Sequence, residues 1–512
     1  MCQIGTYHSI KPPAEKETQM SVASIKRPAA PAQSNHPHLL TLDESLDLDI
    51  KTANRYYAAH LNKYLLQVFE VLGLDEMDIK GAQGIEIWLN DGRTLLDFSA
   101  GLGVVGLGHN HPRIIEAERK CHEHKVIDCI RVAPQKMQGA LAYNIAQMMP
   151  DPLKVSFFAV SGSEAVEAAM KLCERVQTPK NKTKFLCMHG AFHGKTHGAL
   201  SMTTAAGFQR GFLLGIPKEN VIYVPYGDIK AIENAIKAET RADGTNSIIA
   251  VIVEPIRGSA CEVPPVGYLT DIARLCREND IMSIFDEVKV GMGRTGKFCA
   301  FMHEDVVPDV VTLAKTLGGG KRAIGAMVTS QAMFDKAYGS KQDCTLHTSG
   351  FGGLGESCAV AIETLNVLQD ENLIENAATV GAYFSRRLNE LKRKYPKNIL
   401  EVRGMGLFQA IRLNFQQDLA SKLVDISKNP LFQTYQTVLI GGMARELYER
   451  YNILAHFQPG ARDILHFMPP FVVQEKHIDV LIAALDDIFK RGIADTTISF
   501  VAKNMKRVFS NA

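Results

Sequence analysis

Lys315 follows the apolar run Val310-Val311-Thr312-Leu313-Ala314 and precedes Thr316-Leu317-Gly318-Gly319-Gly320. A lysine at the mouth of a buried strand costs free energy unless it is used or paired. Burial there lowers an ammonium's pKa and yields an amine suited to Schiff-base chemistry. The glycines behind it let backbone approach a ligand closely. A second feature is Val160-Ser161-Gly162-Ser163-Glu164, where a strand gives way to a helix. Small residues with free N–H groups at a helix start form a cradle for an anion such as a phosphate. A third, Gly190-Ala191-Phe192-His193-Gly194, offers an aromatic face on which a heterocycle can stack.

The fourth is Ile284-Phe285-Asp286-Glu287-Val288, an apolar strand running into two acids. Pyridoxal phosphate requires a carboxylate against its pyridine nitrogen, because the protonated ring is the electron sink. Asp286 is placed for that, with Val288 able to pack on the ring face. Taken singly, each feature has an ordinary structural reading. Lys315 could be a solvated strand end with Lys321 as its rival, Asp286-Glu287 an acid pair capping a loop, Ser161 or Ser163 a plain N-cap, and Phe192 a core residue. It is their order at successive strand ends that points to a pyridoxal-phosphate enzyme.

The elements that must position these residues are legible from periodicity. Apolar strands are expected at Val155–Ala159, Thr183–Met188, Val221–Val224, Ile248–Val253, Met282–Phe285 and Val310–Ala314, with helices between them including Glu164–Val176 and Leu269–Glu278. That alternation argues for an α/β fold around a mostly parallel sheet covered on both faces, whose ligands collect at the carboxyl ends of the strands. Upstream, Asn54–Leu72 has helical periodicity, and Gly84–Arg93 reads as a hairpin with an Asp-Gly turn. Beyond about residue 370 a long helix, Glu371–Tyr395, and a strand, Leu400–Val402, suggest a smaller α+β unit.

Composition sets the outer bounds. The 512 residues are 46% hydrophobic and 22% charged, with a formal net charge of +2. A large core is affordable, and nothing in the charge calls for nucleic acid or an anionic membrane as partner. No apolar stretch approaches the ~20 residues that span a bilayer. The ten cysteines are scattered without a CxxC pair, so neither a zinc site nor a redox dithiol is signalled; no metal is expected, and reduced thiols in a cytoplasmic setting are. Residues 10–34 mix Lys, Glu, Pro, Ala and Ser without an apolar core and read as part of a disordered tail, with Glu15 and Glu17 set against a transit peptide.

Four segments carry a resemblance: Ser161–Lys171, Phe192–Ser201, Asp286–Val288 with Gly291–Gly296, and Leu313–Gly320. Over roughly residues 80–490, leaving out a stretch near Asp418–Gly442, the chain resembles the class III pyridoxal-phosphate-dependent aminotransferases of fold type I, and is putrescine- and ornithine-aminotransferase-like. The resemblance implies a large domain (114–370) with a mostly parallel seven-stranded sheet. A smaller α+β domain (371–512) would be joined by an N-terminal segment (38–113) behind the tail (1–37). It implies that Lys315 carries the cofactor as a Schiff base and shuttles the proton, Asp286 pairs with the pyridine nitrogen, Phe192 stacks, and Val288 packs opposite. Gly162 and Ser163 would hold the phosphate, with His193 also at the cofactor and Glu254 near its edge. The segment His347–Gly353 would reach the phosphate of a neighbouring subunit, so a homodimer with shared sites is implied.

Departures bear on substrate. The family's Gln after Asp-Glu-Val, which contacts the cofactor's phenolic oxygen, is Lys289 here, as in racemases of the same class. The usual phosphate-binding Thr aligns with Gly350, leaving Thr348 or Ser349 to serve. The usual Gly-Glu becomes Arg257-Gly258-Ser259, and the Arg that clamps an α-carboxylate aligns with His466. An imidazole cannot copy that bidentate contact; Arg257, Ser259 and His466 are the candidate substrate contacts. The expectation is an aminotransferase acting on a terminal amine (diamine, ω-amino acid or amino-aldehyde) with an oxo-acid partner. The alternatives are a racemase or epimerase, supported by Lys289, and a binding protein with catalysis lost, against which Lys315 and Asp286 both stand.

Overall fold

The structure is a computed structural model that describes residues 39–129, 132–415, 430–458 and 460–492. The expected tail and the first part of the stretch near 418–442 lie outside the described residues. The remainder of that stretch falls in the helix Pro430–Tyr451.

The first three strands are short: β1 (Ile79–Gln83), β2 (Glu86–Leu89) and β3 (Thr94–Asp97). The β2–β3 hairpin turns through Asp91-Gly92 as its sequence suggests, with Gly92 at φ 90°. The periodic run 54–72 is not one helix. It is divided into Ile50–Tyr57, a π-helical turn Ala58–Asn62 and Lys63–Leu72. Asn62 is the reason: its backbone is extended, and its side chain accepts from Leu65 N at 3.0 Å, restarting the helix with a cap of its own.

The central sheet comprises β4 (Leu153–Ala159), β5 (Lys184–Met188), β6 (Val221–Val224), β7 (Ile248–Val253), β8 (Met282–Asp286), β9 (Val310–Leu313) and β10 (Gly325–Ser330), in the order β4-β10-β9-β8-β7-β5-β6. Every residue of β7, β8, β9 and β10 is buried, as a sheet covered on both faces requires. Only β10 runs against its neighbours, antiparallel to both β4 and β9. This strand has no counterpart among those expected. Its sequence, Gly-Ala-Met-Val-Thr-Ser, is short and follows a glycine-rich turn, so no run of branched residues announces it. Its direction matters, because β10 begins at the sheet edge where β4, β5, β7, β8 and β9 all end. The loop before it therefore joins theirs.

The helix Gly162–Gln177 covers the sheet with Ala165, Val166, Ala168, Ala169, Leu172, Cys173 and Val176 buried. This is the wide apolar stripe of a helix enclosed by protein, and its alanines allow close approach. After the helix Leu373–Lys394, β11 (Ile399–Met405), β12 (Phe408–Leu413), β14 (His456–Gln458) and β15 (Ala461–Phe467) form a sheet in the order β11-β12-β15-β14. Between Pro430–Tyr451 and β14, the two-residue β13 (Ile453–Leu454) pairs parallel with β3. Strands from the two ends of the described chain thus share one sheet.

Candidate active site

Loops from the carboxyl ends of β4, β5, β7, β8 and β9 surround a cavity of about 470 Å³, within the range of small-molecule sites. Gly162, Ser163, Phe192, His193, Glu254, Ser259, Asp286, Val288, Lys289 and Lys315 all line it. Val104 and Leu102 enter from the N-terminal segment, Gln458 and Gly460 from the C-terminal one, and Arg322–Ile324 from the turn into β10.

Asp286 ends β8 at the back of this cavity. Its Oδ1 accepts from the Thr312 hydroxyl at 2.8 Å and from Val288 N at 3.1 Å, while His193 Nδ1 lies 2.6 Å from Oδ2. The two side chains are 0% and 3% exposed. Burial pushes the His193 imidazole toward neutrality, but its hydrogen bond to Asp286, with a smaller contribution from Cys187, holds it well above the ordinary range. The hydrogen bond to Asp286 thus favours the charged form of the imidazole. Thr203 fixes the turn that carries His193: its hydroxyl accepts from His193 N at 2.9 Å and donates to Gly194 O at 2.7 Å.

Lys315 leaves β9 with φ at 52°, a left-handed conformation that costs a lysine about 1 kcal/mol or more. Such strain persists where neighbours over-determine it, and here the flanking β9 and the Gly319-Gly320 turn do so. Burial first, and then the charge of Lys289, lower the Lys315 pKa to about 7, with Asp286 and Glu254 pulling the other way. An amine so placed has a substantial unprotonated, nucleophilic fraction at neutral pH.

At the other end of the cavity, the Ser161 hydroxyl caps the helix by accepting from Glu164 N at 3.2 Å, leaving the first-turn N–H groups of Gly162 and Ser163 for an anion. A Cβ on Gly162 would come within 2.8 Å of Val288 Cγ1, and one on Gly194 within 2.4 Å of Ser163 Oγ. These glycines keep the cradle open. Glu254 is buried and its pKa is raised by that burial; its two oxygens accept from Phe192 N at 3.0 Å and Gly258 N at 2.9 Å. An amine, a buried carboxylate, an anion cradle and an exposed aromatic face around one cavity fit the donor set that pyridoxal phosphate needs.

Four expected residues are not brought to the cavity. Arg257 ion-pairs with Glu262 and donates to His189 O at 3.0 Å, because a backbone bridge between Arg257 and Glu262 folds the loop onto itself. His466 is fully buried on β15, its ring 5.3 Å from that of His456, and its pKa falls well below 6.5 through burial first and then the neighbouring His456 and Lys289. Thr348 is exposed, and Ser349 donates to Glu164 at 3.3 Å; neither lines the cavity of its own chain. Sequence reasoning passed over Thr312, Thr203 and His456. Only Thr312, a polar residue inside an otherwise apolar strand, left a signal.

The class III aminotransferase family model matches residues 73–489. This chain is a class III aminotransferase. It is 36% identical over 407 residues to the putrescine aminotransferase of Pectobacterium atrosepticum, covering 78% of this chain and 79% of that one. The ornithine aminotransferase of Toxoplasma gondii superposes with a TM-score of 0.71 at 27% identity, over 91% and 98% of the two chains. An (S)-enantioselective omega-transaminase from Thermomicrobium roseum gives 0.75 at 26%, over 88% and 99%. The enzyme is therefore a pyridoxal-phosphate-dependent transaminase, and the racemase reading is not favoured. Among the described residues no helix is long and apolar enough to cross a membrane.

Proposed function

We propose that this aminotransferase moves an amino group between a terminal amine (a diamine, an ω-amino acid or an amino-aldehyde) and an oxo-acid. The observation that carries this is that, among the described residues, no unpaired guanidinium lines the cavity. Arg322 is the arginine among the lining residues, and it is paired with Glu118 and Glu356 at 2.8 Å each; Arg257 is spent on Glu262, and His466 is enclosed. Among the described residues a substrate α-carboxylate thus finds no bidentate clamp, whereas a terminal amine needs none. The names of the relatives point the same way.

Bound pyridoxal phosphate supplies an aldehyde for the incoming amine and a ring that withdraws electrons as the substrate carbon loses its proton. In this reading the Lys315 amine holds the cofactor and moves the proton, Asp286 faces the ring nitrogen, and Phe192 and Val288 hold the ring between them. Gly162 and Ser163 donate to the phosphate. Thr348 or Ser349 of a second copy would complete that cradle, making the enzyme a homodimer, and its setting the cytoplasm. Residues 114–370 would be the cofactor-binding unit, with 38–113 and 371–512 forming the smaller one. A panel of amines followed through the bound cofactor's absorbance tests the substrate class. Terminal amines should convert the cofactor to its aminated form and an oxo-acid should restore it. Conversion by α-amino acids alone would end the proposal.

A further inference from the structure

Lys289 is a second buried amine in the same cavity, and its surroundings are built to hold it. Its Nζ donates to Gly258 O at 2.7 Å and lies 4.9 Å from the centre of the Phe408 ring. A Cβ on residue 258 would come within 2.6 Å of Lys289 Cδ and 2.8 Å of Glu254 Oε2, so glycine is what lets the lysine stretch past. The same glycine ties up the neighbouring acid, since Gly258 N and Phe192 N occupy the two oxygens of Glu254.

We infer that Lys289 is an electrostatic positioning residue, an ammonium pinned at the Gly258 carbonyl whose charge adds to burial in disfavouring protonation of the Lys315 nitrogen. The inference rests on Lys315 as the cofactor-carrying lysine. The charged and titratable groups around the two amines come from every element packed there. Asp286 at the end of β8 and Glu254 after β7 favour the protonated Lys315, while Lys289 and Arg294 oppose it. On Lys289 bear Glu254, Cys261 and Arg294, and burial brings its own pKa to about 8. His456 on β14 and His466 on β15 complete the ring, both driven toward neutrality by burial first, then His456 by Lys289 and Lys315 and His466 by His456 and Lys289. With both acids anchored, one to backbone N–H groups and the other to His193, Lys289 is the largest single charge acting on Lys315, after burial and ahead of Asp286, Glu254 and Arg294. A charge retained beside a nucleophilic amine is an established way to keep that amine neutral.

The test is a pH titration of the holoenzyme's visible absorbance, which reports protonation of the nitrogen linking Lys315 to the cofactor. Lys289→Gln should raise the midpoint by about one pH unit or more, and Lys289→Arg should stay within a few tenths of wild type. Gly258→Ala, which displaces the lysine by sterics, should move the midpoint upward as well. An unchanged midpoint in the Gln variant, or equal shifts in the Gln and Arg variants, would overturn the inference. If Lys289→Gln does not accumulate, Lys289→Met, of similar length over Phe408, gives the same reading. Borohydride trapping separates this from the underlying assignment: a cofactor still reduced onto the chain in Lys315→Ala would refute Lys315 as carrier, whatever residue 289 does.

Discussion

Replacing Asp286 by Asn changes one atom type and removes the fixed negative charge at the back of the cavity. The amide oxygen can still accept from Thr312 and Val288 N, which now sit at 2.8 and 3.1 Å from Oδ1. The amide nitrogen must face His193 Nδ1, now 2.6 Å from Oδ2, so the imidazole has to lose its proton and accept instead. A charge-assisted hydrogen bond is replaced by a neutral one, a loss of about 1–1.5 kcal/mol of fold stability. The rate should fall further, because the substrate carbon's charge is no longer drawn toward a protonated ring. Removing one preorganised electrostatic contact costs on the order of 10²–10³ in kcat. The assay is the first half-reaction in single turnover, with thermal unfolding in parallel. The pH dependence supplies a second reading. His193 has its pKa raised in the folded protein, so its contribution is fully present below the unfolded value and lost as pH rises through the folded one. Wild type should therefore lose stability on the alkaline side through this pair, and the Asn variant should lack that component. A variant within threefold of wild-type rate, with an unchanged stability–pH profile, would refute the account of Asp286.

Other expected outcomes follow from single contacts. Lys315→Met should abolish turnover yet raise the thermal stability of the cofactor-free protein at neutral pH. The folded pKa of about 7 lies below the unfolded value, so burying this amine opposes folding until pH passes about 10, and the gain should shrink there. Gly162→Ala should weaken cofactor binding at least several-fold, read by dialysis against free cofactor, because its Cβ would press Val288 at 2.8 Å. Asp228→Ala removes the side chain that accepts from Ala231 N at 3.0 Å at a helix start that does not line the cavity. It should cost about 1 kcal/mol in denaturant unfolding and leave kcat unchanged.

Asp286 and Lys315 were visible in the sequence because each interrupts an apolar strand at its end, where a polar side chain must be either used or solvated. The parallel core was visible for a related reason: runs such as Ile248–Val253 have no polar face to turn outward. What could not be read depends on partners distant in sequence. Thr312 stands out as a polar break in an apolar strand, but its partner is hidden until Asp286 on the adjacent strand is known to need a donor. Arg257 looks like a free cation near Glu254 until the loop is seen to turn and bring Glu262 against it. His466 alternates inward on β15 and meets His456, a neighbour that depends on how β14 pairs. The antiparallel β10 escaped because its direction is a property of the turn through Gly319-Gly320 rather than of its own residues.

The pairing of β3 with β13 joins Leu96 to Ile453, and the cavity wall follows the same pattern, with Leu102 and Val104 on one side and Gln458 and Gly460 on the other. During synthesis β1, β2 and β3 can pair with one another early, but the outer edge of β3 must wait for residues 453–454 to leave the ribosome before its β13 partner exists. The central sheet, whose strands are all made by then, can form first. Closure of the wall is consequently among the last events of maturation, and a nascent chain stalled before residue 453 would present an open cleft rather than a finished enzyme.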